Sequence, residues 1–325
     1  MHDVAANIID FDARVFHCVV EVLAAAAQKV VVDQNLFDIL FQESINRVQS
    51  LEQTAALVEH ARRRGFRGIN VDLIYGLPLQ TPESFERTVD SVVGLDIDRA
   101  AVYSFAFVPW VRGHQKKIEE DQLPDARTKL ALFAIARERF LRAGYEPIGM
   151  DHFARPDDEL ARAKHEGRLR RNFQGYAVIP GDDVLGIGIS AIGDVQDAFV
   201  QNVKKLPAYY AALDAGRLPV ERGYALDDDD RIRRHIIGEI MCNARLDFAA
   251  VEARFGGTFE RDFAAELAVL GAPGGPIADG LLERVDGGLR VTERGRPFVR
   301  VVAMAFDRHL GTAAAGDRPV FSRTV

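Results

Sequence analysis

The chain has 325 residues, 48% of them hydrophobic and 27% charged, with a formal net charge of −7. This suits a globular fold of one large domain, or a large and a small one, and the negative balance argues against a phosphate-binding nucleic-acid protein. With two cysteines, Cys18 and Cys242, a disulfide framework is not expected and a reducing cytoplasm is; the N-terminus lacks a signal-peptide pattern, and no apolar run is long enough to span a membrane.

In chain order, residues 1–42 show no clean period and read as an irregular N-terminal segment. "SLEQTAALVEHARRRGF" sets Leu51, Ala55, Val58 and Ala61 on one helical face, with Gly65 as its C-cap. "INVDLIY" (69–75) reads as a near-continuous apolar strand, as in a parallel sheet covered on both sides. "TPESFERTVDSVVGL" opens a helix with Thr81 as N-cap and Pro82 in the first turn, and buries Phe85, Val89 and Val92. A strand at 100–108, a helix closed by Gly144 and a strand at 145–154 follow.

This alternation predicts a parallel sheet with helical crossovers, either half a βα barrel or a doubly wound sheet. Its polar residues fall at strand ends: Asp72, Tyr75, Ser104, Asp151 and His152. "GDDVLGIGISAIGD" is spaced by glycines that would let a ligand approach the backbone. The acidic run Asp227–Asp230 marks a domain boundary or the start of a helix. Beyond it, helices and a strand–turn–strand around Asp286-Gly287-Gly288 suggest a small winged-helix-like module. The organisation expected is therefore 1–42 irregular, 43–225 an α/β partial barrel, and 226–325 mainly helical with a hairpin.

From about residue 43 onward, "NVDLIYGLPLQTPESF", "GYEPIGMDHFARPDDELA", "RNFQGY", "LGIGISAIG" and "FDRHL" closely resemble the oxygen-independent coproporphyrinogen III oxidases (dehydrogenases) of haem biosynthesis. The resemblance implies an incomplete parallel (β/α) barrel of the radical SAM type followed by a helical domain. It also implies oxidative decarboxylation of two propionates of coproporphyrinogen III, with S-adenosylmethionine and a 4Fe-4S cluster as cofactors. The family's C-x-x-x-C-x-x-C cluster motif and its upstream barrel strands have no counterpart here, so this chain alone is expected not to hold the cluster. Either a separate N-terminal half supplies it, or the chain is a non-catalytic remnant or tetrapyrrole-binding protein. "DFDARV" (10–15) looks like the family segment that directly precedes "QESINRVQS" (42–50); either residues 16–41 are an insertion that splits the segment, or the early likeness is a chance one.

By the same resemblance Arg47, Asp72, Ala106 and Ile192 contact S-adenosylmethionine. Each has a plainer reading. Asp72 would be a structural pair with Arg47 or another base, Arg47 an exposed helix arginine, and Ala106 and Ile192 core residues. Asp151, His152 and Arg155 cluster after a strand and, with Gln174 and Tyr176, are candidates to line the substrate pocket. Arg168, Arg170 and Arg171 could add positive charge for carboxylates, or form a solvated face. Gly256-Gly257-Thr258 reads as a turn rather than a cofactor motif, and Cys242 as a core residue.

Overall fold

The computed structural model describes residues 29–33 and 50–310, apart from 111, 174 and 179–182. The described residues form a mixed α/β structure in two compact units, one within residues 22–168 and one within 169–307. The acidic run lies inside the second of these units.

The first unit is a five-stranded sheet in the order β1-β2-β3-β5-β4. Its strands are β1 (Lys29–Asp33), β2 (Gly68–Tyr75), β3 (Arg99–Ser104), β4 (Glu146–Ile148) and β5 (His152–Ala154). Strands β1, β2 and β3 run parallel. Within the segment expected to be irregular, β1 pairs with one edge of β2. The single strand expected over 145–154 is instead two three-residue strands joined by Gly149-Met150-Asp151, with Gly149 in the left-handed region (φ 57°). That turn reverses the chain, so β5 pairs antiparallel with β3.

Helices α1 (Leu51–Arg63), α2 (Pro82–Gly94) and α3 (Ala126–Arg142) bring their apolar faces into one core. Their starts follow from local chemistry. Ser50 and Gln53 form a capping box on α1, Thr81 and Ser84 form another on α2, and Asp125 accepts from the Thr128 amide at 2.7 Å on α3. Val58, Ala61, Phe85, Val89, Val92, Leu132 and Phe140 pack on Ile69, Val71, Leu73, Ala100 and Val102 of the sheet. Each fully buried side chain of that kind contributes about 1.5–3 kcal/mol. At the start of β3, buried Arg99 pairs with Asp158 at 2.7 Å, and Asp158 also caps α4 (Glu159–His165) through the Leu160 amide at 2.8 Å.

The second unit begins with the hairpin β6 (Arg170–Asn172) and β7 (Gly175–Ala177). An antiparallel sheet in the order β10-β9-β8 follows, built from β8 (Ile192–Val195), β9 (Ala198–Asn202) and β10 (Val220–Ala225), with α5 (Leu206–Asp214) between β9 and β10. Of the three glycines of "LGIGISAIG", Gly186 and Gly193 allow close packing of one backbone segment on another, whereas Gly188 takes a positive φ (98°) in open space. A Cβ on Gly193 would stand 2.9 Å from the Val184 carbonyl oxygen, and one on Gly186 would stand 2.9 Å from the Ile192 carbonyl. Buried Asn202 donates to the carbonyls of Gly186 and Gly188, both at 2.9 Å, while the Gly188 amide donates to Tyr209 Oη at 3.1 Å.

The acidic run does open a helix, α6 (Asp228–Asn243), through an Asp227–Asp230 capping box. The stretch after it, expected to be helical, holds a short strand first: β11 (Arg245–Asp247), then α7 (Phe248–Phe255), α8 (Phe259–Asp262) and α9 (Ala264–Gly271). Strand β11 pairs with β13 (Gly288–Val291), the second strand of the expected hairpin, whose first is β12 (Leu282–Val285). Helix α10 (Val299–Met304) follows. Phe259, stacked on Phe248 at 4.2 Å and on Phe263 at 4.8 Å, fills the centre of this part. Gly256 and Gly257 turn the chain between α7 and α8.

Two glycine substitutions should move stability in opposite directions. Gly193→Ala is expected to cost about 1–3 kcal/mol by overpacking, since the new methyl meets backbone. Gly238→Ala, inside α6 with nothing within 4 Å of its Cβ position, should gain about 0.5–1 kcal/mol from helix propensity. Urea midpoints of the two variants check this; a shift of the same sign in both would refute the packing account.

Candidate functional site

The two faces of β2 differ. Ile69, Val71 and Leu73 are fully buried, whereas Asn70, Asp72 and Ile74 on the opposite face are half-buried. Asp72 therefore does not sit in a core covered on both sides. Its carboxylate accepts from the Asn70 side-chain amide at 2.6 Å. The parallel register sets Asp72 beside Ala101 of β3 and, on the other side, level with Asp33 of β1. Ala101 is in turn opposite His152 of β5. Facing residues on paired strands share a face, so Asp72 and His152 stand at one level with only a methyl group between them.

The His152 ring is held on two sides. Its Nδ1 lies 2.6 Å from Asp151 Oδ1, and it stands nearly perpendicular to the Tyr103 ring with centroids 5.8 Å apart. The Asp151 carbonyl accepts from the Val102 amide at 2.7 Å, which ties the pair to β3. Both side chains are buried. With Nδ1–H donated to Asp151, Nε2 is the ring's other polar atom. The face thus combines a carboxylate and an oriented imidazole, a set able to accept from ammonium or hydroxyl groups of a ligand.

At the C-terminal ends of the strands, two buried glutamines that the sequence reading does not single out fix the backbone. Gln80 accepts from the Gly76 amide at 2.6 Å and from that of Leu77 at 3.3 Å, and donates to the Ile74 carbonyl at 3.3 Å. Gln115 donates to the Ala106 carbonyl at 3.0 Å and accepts from the Val108 amide at 2.7 Å. Ala106 itself is exposed rather than core. Ser104 Oγ, at the end of β3, is buried with no hydrogen-bond partner among the described residues. A polar side chain inside the apolar turn "GLPLQT" was the available signal for Gln80; Gln115 lies in a polar stretch and gave none.

Arg155 does not join this group. It follows β5, which runs back along β3, and so lies at the opposite end of the sheet. There it donates through Nε to the Ile97 carbonyl at 3.0 Å, pairs with Asp96 and lies 5.9 Å over the Tyr145 ring. In the second unit, half-buried Ile192 opens β8, and Tyr176 donates through its hydroxyl to the Met241 carbonyl at 3.4 Å. Phe173, beside it, is 78% exposed. Arg47 and Gln174 lie outside the described residues. No helix among the described residues is long and apolar enough to cross a membrane.

Comparison with known proteins agrees with this architecture. The model of the HemN C-terminal domain matches residues 226–298. Proteins named oxygen-independent coproporphyrinogen III oxidase are similar along most of the chain. The one from Synechocystis is 42% identical over 89% of this chain and 62% of its own length, and that from Salmonella typhimurium 45% identical over 87% and 61%. The one from Thermostichus vulcanus is 42% identical over 84% of each. The chain belongs to the oxygen-independent coproporphyrinogen III oxidase family. A solved member, coproporphyrinogen III oxidase (HemN) from Escherichia coli, described as a radical SAM enzyme, matches with a TM-score of 0.83 and 41% identity. That match covers 90% of this chain and 67% of the E. coli one. The chain spans about three fifths of the length of the Synechocystis and Salmonella members.

One thiol of this family member is described. Cys242 is buried in α6, and burial pushes its pKa up to about 12. It is accordingly a thiol rather than a thiolate at neutral pH, with the reactivity of a core residue. In a Cys18→Ser background, native chain at pH 8 should take up less than roughly a tenth of the iodoacetamide label that it takes up unfolded. Comparable labelling of folded and unfolded protein would contradict the burial of Cys242.

Proposed function

We propose that this chain is a C-terminal portion of a coproporphyrinogen III dehydrogenase, acting in the cytoplasm in haem biosynthesis. The sheet and helices of the first unit serve as part of a (β/α) barrel of the radical SAM type, followed from residue 226 by the mainly helical domain. The reaction converts two propionates of coproporphyrinogen III to the vinyl groups of protoporphyrinogen IX. Each propionate releases carbon dioxide, one proton and two electrons. S-adenosylmethionine, when bound, supplies the radical that abstracts hydrogen in this chemistry.

The observation that carries the reading is the register that lines Asp72, Ala101 and His152 on one face, in a chain 42–45% identical to named members of the family. Asp72, oriented by Asn70, is the residue of the first unit assigned to the cofactor, with Ala106 offering backbone after β3; Arg47 and Ile192 are assigned to it by the family resemblance alone. Asp151 and His152 are the substrate-side residues of the first unit, and Gln174 and Tyr176 are assigned to the substrate by the motif they belong to; Arg155 is engaged by Asp96 and the Ile97 carbonyl. The cluster does not fit the residues present. Iron–sulfur clusters of this kind need thiolate ligands, and these 325 residues carry two cysteines, one of them the buried, protonated Cys242. Cluster ligation falls to residues outside this sequence, such as a separate N-terminal half. The cysteine count also favours a second reading, a non-catalytic protein that binds the tetrapyrrole.

Reconstituted anaerobically with iron and sulfide, the chain alone should not keep a stoichiometric cluster. Absorbance that survives desalting and disappears in a Cys18→Ser, Cys242→Ser variant would sink that statement. Supplied with a family N-terminal half, the chain should bind S-adenosylmethionine, and Asp72→Asn should weaken that binding at least about tenfold, or ~1.4 kcal/mol. Calorimetric titration decides, and equal affinities would make Asp72 a structural residue.

A further inference from the structure

The substrate class proposed above is a tetrapyrrole rimmed by four carboxylates, and four arginines lie near the sequence motifs that suggest it. Their surroundings sort them. Arg155 is held by Asp96 and the Ile97 carbonyl. Arg168 is paired with Glu166, its Nε 2.6 Å from the carboxylate. Arg170 faces Glu239 at 3.6 Å, and the other oxygen of Glu239 accepts from Asn243 at 2.7 Å. Arg171 is exposed, and no carboxylate among the described residues pairs with it.

Arg171 is nevertheless positioned. It is the direct cross-strand partner of Tyr176 in the β6–β7 hairpin, and its guanidinium lies 5.4 Å over the Tyr176 ring. The ring is anchored in turn, because its hydroxyl donates to the Met241 carbonyl of α6. A guanidinium held over a ring by cation–π attraction keeps an N–H edge that can meet a ligand. That edge matches a carboxylate in bidentate fashion, and part of the entropy of ordering a long side chain is lost before a ligand arrives.

We propose that Arg171, held over the Tyr176 ring, binds a propionate carboxylate of the tetrapyrrole substrate; the assignment rests on the functional reading above. It is tested on the purified full chain by fluorescence titration with coproporphyrin III, the aromatic tetracarboxylate. Arg171→Ala should weaken binding roughly tenfold, the loss of one charge-assisted contact. Arg171→Lys should weaken it by about threefold, since an ammonium keeps the charge but not the planar fork. Arg290→Ala, which removes another exposed arginine, paired with Glu283 at 2.7 Å, should change affinity by less than about twofold. Thermal melts accompany each variant; if Arg171→Ala proves unstable, Arg171→Lys carries the same test.

Measurable wild-type binding that is unchanged in Arg171→Ala and Arg171→Lys overturns the assignment and leaves the functional reading standing. An equal loss in Arg290→Ala also overturns it, because the effect would then be one of general charge. Failure of the wild-type chain to bind the tetracarboxylate overturns both.

Discussion

The apolar residues on one side of β2 and β3 leave this parallel pair a single workable register. Ile69, Val71 and Leu73 alternate with Asn70, Asp72 and Ile74, and the first set meets the three helices. A slip by one residue would turn Asp72 into the core and three large apolar side chains out of it. Each exposed apolar side chain forfeits about 1.5–3 kcal/mol, before the cost of burying a carboxylate is counted. The level at which Asp72 stands is thus enforced from the far side of the sheet. His152 inherits its level from the same pairing, through Ala101. A larger residue at 101 would separate the two polar groups without touching either backbone.

The strand ends are held by neutral amides instead of charges. Gln80 and Gln115 each bond backbone groups on both sides of a turn. A glutamine can donate and accept at once, so one side chain satisfies peptide groups that the end of a strand would otherwise leave unmatched. Neither adds a charge next to a carboxylate that is proposed to meet a cationic cofactor. The ion pairs lie elsewhere: Arg99 with Asp158, and Arg155 with Asp96, join elements at the start of β3.

Much of the first unit could be read from local chemistry. Thr81 with Pro82 and the apolar triplet Phe85, Val89 and Val92 are enough to set α2. What escaped were features decided by contacts distant in sequence. The segment 145–154 has the composition of one strand, yet Gly149 breaks it, and the direction of β5 is settled only by its pairing with β3. Strand β11 is three residues between two helices, too short to show a period, and exists because β13 offers it a ladder. Asp72 and His152 stood out as polar residues on apolar strands; their shared level did not, since it depends on two registers. The pairing of Arg155 with Asp96 was equally hidden, since that carboxylate is 59 residues away.

Asn202 fixes the path of the 185–191 segment by gripping two of its carbonyls from below. The segment's own large side chains take little part, for Ile187 is 61% and Ile189 42% exposed. Path and surface are therefore under separate control. Selection can vary what positions 187 and 189 present while the backbone stays where it is, whereas a change at 202 alters the path and leaves the outward chemistry untouched. Diversity among natural sequences should accordingly gather at 187 and 189 and be scarce at 186, 193 and 202.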